Sequence, residues 1–61
     1  MAQRETIFEF HRVGSYMRVT AMDTASLTEV VVSAPATATE QQLKDLATRK
    51  LAYVMKKNAE E

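Results

Sequence analysis

The fold is decided by residues 6–22, which read TIFEFHRV, then a single glycine at position 14, then SYMRVTAM. Both halves alternate apolar and polar residues and are rich in aromatic and β-branched side chains. That pattern is typical of strands that bury one face of a pleated sheet. We therefore predict one strand near residues 6–13 and a second near residues 15–22, joined as a hairpin.

The alternation also predicts how the two strands pair. If Val13 and Gly14 form a two-residue turn, Glu9 faces Arg18 on one face of the hairpin, and the large apolar side chains share the other. Val13 is the weak point of this register, because a type I′ turn needs a positive φ that valine resists. A longer loop with Gly14 at a bulge is the alternative.

A second turn and a third strand follow. Asp23 is a residue that hydrogen-bonds its own turn, and a four-residue loop at 24–27 sets Ala21 opposite Val30. The third strand is expected at residues 28–34. Pro35 ends it, because proline lacks the N–H that a strand residue donates.

The rest of the chain predicts one helix near residues 39–57. Thr37 with Glu40 and Thr39 with Gln42 both have the spacing of a capping box, and we take Thr39 as the N-cap and Asn58 as the C-cap. Apolar residues recur at three- and four-residue intervals, which makes one stripe along the helix. The stripe consists of Leu43, Leu46, Ala47, Leu51 and Val54.

These elements predict a single α+β domain over residues 1–61, in which a three-stranded antiparallel β-meander packs on one C-terminal α-helix (βββα). The helix stripe is expected to cover the apolar face of the sheet. The strand residues expected in this core are Phe8, Phe10, Met17, Val19, Ala21, Val30 and Val32.

This core is thin, because a chain of 61 residues buries only about 60% of the surface that it exposes when unfolded. The sequence has no cysteine and one histidine, so neither a disulfide nor a thiolate metal site can support the fold. Self-association is the remaining common support for so small a domain. We therefore expect a homodimer.

Composition disfavours several classes of function. Eight basic and eight acidic residues cancel, so the chain has no overall attraction for nucleic acid or anionic lipid. No apolar run approaches the ~20 residues of a membrane span, and Met1–Glu5 lack the apolar core of a signal peptide. We expect a cytoplasmic protein that is not an enzyme and has no cofactor, metal, membrane or small-molecule partner.

The candidate site residues lie on the uncovered sheet face, at the third strand and on the helix. His11 could serve as a general base, but a solvated cross-strand pair with Tyr16 is the favoured interpretation. Lys50 falls within the apolar stripe, where its methylenes can cover the core while its ammonium reaches water. The candidate interaction surface consists of Ile7, His11, Tyr16, Arg18, Met22, Val31, Lys50, Lys56 and Lys57.

The third strand is expected at an edge of the sheet. Its triplet Val30-Val31-Val32 is strongly β-prone and has no charge within it. Such an edge invites pairing with another chain. A helix of about 20 residues is also longer than these strands, so its last turn with Lys56 and Lys57 is expected to overhang the sheet. The edge, the uncovered face and this helix end are therefore the surfaces expected to form a symmetric dimer.

Several short motifs carry a resemblance to a known family: Ile7-Phe8-Glu9-Phe10, Arg12-Val13-Gly14, Thr28-Glu29-Val30, Arg49-Lys50-Leu51 and Tyr53-Val54. With them the chain resembles a family of short uncharacterised bacterial proteins, mostly alphaproteobacterial. The label serine hydroxymethyltransferase, which some members carry, does not fit a 61-residue chain without a lysine-bearing cofactor fold. Relatives place a glycine where this chain has Leu27, which leaves the conformation of the 23–27 loop open.

The order of three strands and a helix is also similar to the arm-binding modules of phage-type integrases and to plant ethylene-response DNA-binding domains. Those modules read DNA with basic and aromatic side chains of the open sheet face. Here that face offers Arg18, Tyr16 and His11. Glu9 and Glu29 outweigh the one arginine, which is the wrong sign for binding phosphates. The leading interpretation is a self-associating protein-interaction module, and the alternative is DNA binding through the open face.

Overall fold

The computed structural model describes residues 5–60, which contain three strands and one helix. The elements are β1 (Thr6–Val13), β2 (Tyr16–Asp23), β3 (Thr28–Pro35) and α1 (Glu40–Ala59). The strands form one sheet in the order β1-β2-β3, and both pairs are antiparallel. The predicted βββα fold is confirmed, with each element within two residues of its expected bounds. Residues 1–4 and Glu61 lie outside the described residues. The expectation for the polar segment Met1–Glu5 falls almost entirely on these residues and is therefore not tested.

The first hairpin turns at Gly14-Ser15, one residue later than predicted. Gly14 has a φ of 60°, as the first central position of a type II′ turn requires. Val13 stays in β1 opposite Tyr16. The reason is steric, because a β-branched residue is strained at positive φ and glycine is not.

The later turn shifts every cross-strand pair of this hairpin by two residues. Glu9 faces Thr20, and Arg18 faces His11, so the predicted Glu9–Arg18 and His11–Tyr16 pairs are wrong. The faces are unaffected, because side chains alternate along a strand with a period of two. The division into a covered face and an open face therefore stands as predicted.

The second hairpin has the predicted register, with Ala21 opposite Val30. Asp23, only 1% exposed, fastens the loop, since its Oδ2 accepts bonds from the Ser26 N–H at 3.0 Å and the Ser26 hydroxyl at 2.8 Å. The Leu27 N–H donates to the Asp23 carbonyl at 2.7 Å. Leu27 closes the loop with a φ of 60°, a left-handed conformation that costs a non-glycine residue about 1–2 kcal/mol.

The start of α1 confirms the predicted capping box. The Thr39 hydroxyl accepts a bond from the Gln42 N–H at 3.1 Å, and the Gln42 side chain accepts one from the Thr39 N–H at 2.9 Å. The predicted C-cap is wrong, because α1 continues past Asn58 to Ala59 and the C-cap is Glu60. Ala59, a strong helix former, allows this extra length.

The core lies between α1 and the inner face of the sheet, and α1 packs mainly on β3 and β2. The buried apolar residues are Val19, Ala21, Val30, Val32, Leu43, Ala47 and Leu51. Small side chains at Ala21 and Ala47 lie fully buried where the helix crosses the sheet. The four-residue connection from β3 starts α1 near the end of that strand, which favours this position over β1.

Three expectations about the core change as a result. Phe8 and Phe10 of β1 pack against the core but are only half-buried, because α1 lies mostly beyond them. Leu46 is 41% exposed, so its predicted place in the core is wrong. Met55, which was not predicted, packs against the core one turn after Leu51.

Candidate interaction surface

The face of the sheet opposite α1, called the open face, is formed by alternate residues of all three strands. The two registers arrange these residues in four rows across the sheet. The rows are Ile7–Met22–Glu29, Glu9–Thr20–Val31, His11–Arg18–Ser33 and Val13–Tyr16–Pro35.

Apolar residues gather at both ends of the open face. Ile7 lies directly beside Met22, and Val31 lies diagonally from Met22, within reach of it across the sheet. Ile7 is 51% exposed and Val31 is 43% exposed. The row Val13–Tyr16–Pro35 forms a second apolar group at the opposite end. The open face therefore has two small apolar groups and not one continuous patch.

A polar band separates the two groups. His11 and Arg18 stand opposite each other in it, and Glu9 is opposite Thr20. His11 is exposed to solvent in this band. Among residues 5–60, no group of three His, Asp or Glu side chains could hold a metal ion.

No helix in the described part of the chain is long and apolar enough to cross a membrane.

The predicted site residues are not brought together in one place. Lys50, Lys56 and Lys57 lie on α1, across the sheet from Ile7 and Tyr16. Lys56 and Lys57 are exposed in the last turn, where a helix favours cations. The two sets therefore belong to different surfaces.

The sheet has two edges, and the hairpin geometry decides which backbone groups face out from each. In antiparallel pairs, alternate residues bond to the neighbouring strand and the others point away from it. The Glu5 carbonyl accepts the Thr24 N–H at 2.9 Å, which places the odd residues of β1 toward β2. The backbone groups that face out at β1 are those of Thr6, Phe8, Phe10 and Arg12. The same alternation places those of Glu29, Val31 and Ser33 outward at β3.

The edge of β3 is guarded by the helix. The Lys50 ammonium donates a hydrogen bond to the outward carbonyl of Val31 at 3.1 Å. The side chain was expected to reach water, and it stays exposed, but its ammonium lies on the strand edge. Lysine at an edge strand is a common protection against pairing with another chain. Lys50 of α1 therefore supplies the protective charge that the Val30-Val31-Val32 triplet of β3 itself lacks.

The edge of β1 has no comparable guard among residues 5–60. The Phe8 and Phe10 rings stack beside this edge with centroids 6.5 Å apart and an angle of 23°. The Lys44 ammonium lies 5.7 Å from the Phe8 ring centroid and 3.7 Å from Glu40, so it covers a ring face and leaves the backbone groups open. The result is an open strand edge flanked by half-buried aromatic rings.

Sequence reasoning missed this edge because it placed both phenylalanines in a fully covered core. Their spacing showed correctly that they share the inner face with the core residues. The signal in the sequence that could have located α1 over β2 and β3 is the short 36–39 connection, which starts the helix near the end of β3. The buried Asp23 was also missed as a core residue, since it was recognised only as a turn residue.

The family model of the Domain of unknown function (DUF6898) matches residues 3–58. The chain belongs to the DUF6898 family. This confirms the predicted membership in an uncharacterised family, while alphaproteobacterial origin stays a prediction. No curated protein and no solved structure matches the chain. DUF6898 membership assigns no activity, so function must be argued from the surfaces described above.

Proposed function

We propose that this DUF6898 member is a small, non-enzymatic protein-interaction module that self-associates as a symmetric homodimer in the cytoplasm. The observation that carries the proposal is the one-sided coverage of the sheet. Only α1 packs on it, mainly over β2 and β3, so the open face and the β1 side have no second layer among residues 5–60. On the β1 side of that face, Ile7 is 51% exposed beside Met22, where a second chain would cover it.

The size of the core supports the same proposal. Among residues 5–60, seven apolar residues are buried, and none of these lies in β1. A domain this small has little hydrophobic stabilisation to spare after its conformational entropy is offset. A second copy that covers the exposed apolar side chains would add to that stabilisation by mass action.

The side chains present favour binding over catalysis. The chain has one histidine and no cysteine. His11 lies exposed beside Arg18, and no candidate nucleophile with an adjacent base accompanies it among the described residues. We therefore propose no cofactor, metal or small-molecule substrate for this module.

Sedimentation velocity over a wide range of protein concentration tests the proposal. We expect the weight-average sedimentation coefficient to rise from that of a monomer to that of a dimer as concentration increases. A monomer at every concentration, with a cooperative unfolding transition, would show that the small core is sufficient and that the open face is only solvated surface.

DNA binding through the open face is the second candidate. The observation in its favour is the pairing of Arg18 with His11 in the centre of the face, with Tyr16 in the adjoining row. Glu9 lies in the next row and Glu29 two rows away on the same face, and both oppose phosphate binding. A mobility-shift assay at low and moderate salt distinguishes the candidates, because binding that is tight and falls steeply with salt would favour DNA.

A further inference from the structure

We propose that the second copy pairs along β1, in an antiparallel β1–β1 contact with its two-fold axis at Phe10. The contact would join two three-stranded sheets into one six-stranded sheet. This inference rests on the proposed function, because it names the surface through which the module self-associates. It replaces the β3 edge that the sequence suggested.

The difference between the two edges selects β1. At β3, the Lys50 ammonium lies on the Val31 carbonyl, so a strand that approached there would have to displace a hydrogen-bonded charge. At β1, the outward N–H and C=O groups of Phe8 and Phe10 meet no described residue, because α1 lies over β2 and β3. A β1–β1 contact would supply partners to these groups without displacing any side chain.

The outward groups limit the possible registers. Two copies related by a two-fold axis pair residues whose numbers have a constant sum, and only even-numbered residues of β1 present backbone groups outward. With the axis at Phe10, Glu9 faces the partner's His11 and Ile7 faces the partner's Val13. An axis at residue 9 would set two Glu9 carboxylates directly opposite each other, and an axis at residue 8 would set Ile7 against the partner's Glu9.

The axis at Phe10 makes every open-face pair complementary. The His11 imidazole has an N–H that can donate to the partner's Glu9 carboxylate whether or not the ring is protonated. Ile7, which is half exposed in one copy, would be covered by the partner's Val13. Each of these pairs occurs twice, once on either side of the axis, as a two-fold contact demands.

The inner face of this register is complementary as well. Phe8 would lie opposite the partner's Arg12, whose methylenes can pack beside the ring that Phe10 and Lys44 already cover on its faces. Arg12 is exposed, and its Nε donates only to the Gly14 carbonyl of its own turn, at 3.1 Å. The two Phe10 rings would meet at the axis. Because α1 lies over β2 and β3, the two helices would stand apart and leave room for these rings.

Disulfide trapping tests both the edge and the register, because the chain has no cysteine of its own. Directly opposed residues that are not hydrogen-bonded have Cα atoms about 4.5 Å apart, which lies within the range for a disulfide. The variants are Glu9→Cys and His11→Cys, both exposed positions. Each is oxidised alone and in an equal mixture, and Val31→Cys serves as the matched control on β3.

We expect about tenfold more disulfide-linked dimer in the Glu9→Cys and His11→Cys mixture than in either variant alone, because only the mixed pair is directly opposed. Efficient trapping of either single variant by itself would overturn the axis at Phe10. Efficient trapping of Val31→Cys alone would overturn the choice of β1.

The sedimentation experiment separates failure of this inference from failure of the proposed function. A dimer that sediments as such but is not trapped at residues 9 and 11 would overturn the β1 contact and leave self-association standing. A monomer at all concentrations would overturn both. Circular dichroism of each cysteine variant checks that the fold is retained.

Discussion

The two edges of this sheet have the same length and the same kind of backbone exposure, but α1 protects only one of them. β1 and β3 are both eight-residue outer strands that pair only with β2 among the described residues. α1 packs on β3 and sends Lys50 to its edge carbonyl, whereas β1 keeps two half-buried phenylalanines beside an open edge. One helix protects only one edge of this three-stranded sheet, and another chain can pair with the edge that is left open.

The largest expected effects are losses of stability, which should be greater on the side that α1 covers than at β1. Leu51 is 4% exposed in the core that α1 covers, and Leu51→Ala should lower the unfolding free energy by about 2–5 kcal/mol. Phe8→Ala removes a larger side chain but should cost less, about 1–2 kcal/mol, because the ring is only half-buried.

Urea unfolding followed by circular dichroism, at a concentration where the wild-type chain is monomeric, measures both variants. At higher concentration, where dimers form, Phe8→Ala should weaken dimerisation more than Leu51→Ala does. Leu51→Ala should affect the dimer only by lowering the stability of each copy. If Phe8→Ala destabilised the monomer as much as Leu51→Ala, β1 would be as well covered as β3 and the comparison would fail.

A stabilising change is expected on the β3 side, at the loop that leads into it. Leu27 combines a φ of 60° with 72% exposure, so it carries backbone strain without burying its side chain. Leu27→Gly should raise the unfolding free energy by up to about 1 kcal/mol, since glycine adopts this φ freely but loses more entropy on folding.

The matched control is Gly14→Ala, in the turn next to β1. A Cβ there would meet no atom, so any loss of stability comes from the positive φ alone. The two substitutions should shift the thermal midpoint in opposite directions. A loss of stability in Leu27→Gly would mean that the leucine side chain makes a contribution that the loop geometry does not show.

These two turns also show what the sequence can and cannot determine. Loop length and alternation were enough for the register of β2 and β3, because only one four-residue loop satisfied both apolar faces. In the first hairpin, a shift of two residues left the faces unchanged, so the pattern could not choose between turns at 13–14 and 14–15. The turn lies at 14–15 because Gly14 adopts a positive φ, which is a local backbone property and is not visible in the alternation.

The candidate surface was predictable only in part for a similar reason. The open face follows from alternation, so Ile7 and Val31 were placed there correctly. The exposure of Leu46 and the position of Lys50 depend on where α1 lies across the sheet. That position is set by packing among several elements and not by the periodicity of the helix itself.

The smallest effect on stability is expected from Lys50→Ala, which should instead change the size of the assemblies that form. Lys50→Ala removes an exposed side chain whose ammonium bonds the Val31 carbonyl, so the unfolding transition should hardly move. The β3 edge would lose its charge, and the variant should form assemblies larger than a dimer at high concentration. Light scattering beside wild type and Lys50→Arg measures this. Equal behaviour of Lys50→Ala and wild type would show that the lysine does not guard the edge.

Amide hydrogen exchange, resolved by residue and repeated at low and high protein concentration, tests the central claim most directly. The N–H groups of Phe8, Phe10 and Arg12 face outward from β1 and should exchange rapidly in the monomer and slowly once dimers form. The outward N–H groups of Val31 and Ser33 on β3 should exchange rapidly at both concentrations. Slowing at β3 with no change at β1 would contradict the account, and the second copy would then pair at the edge that Lys50 occupies.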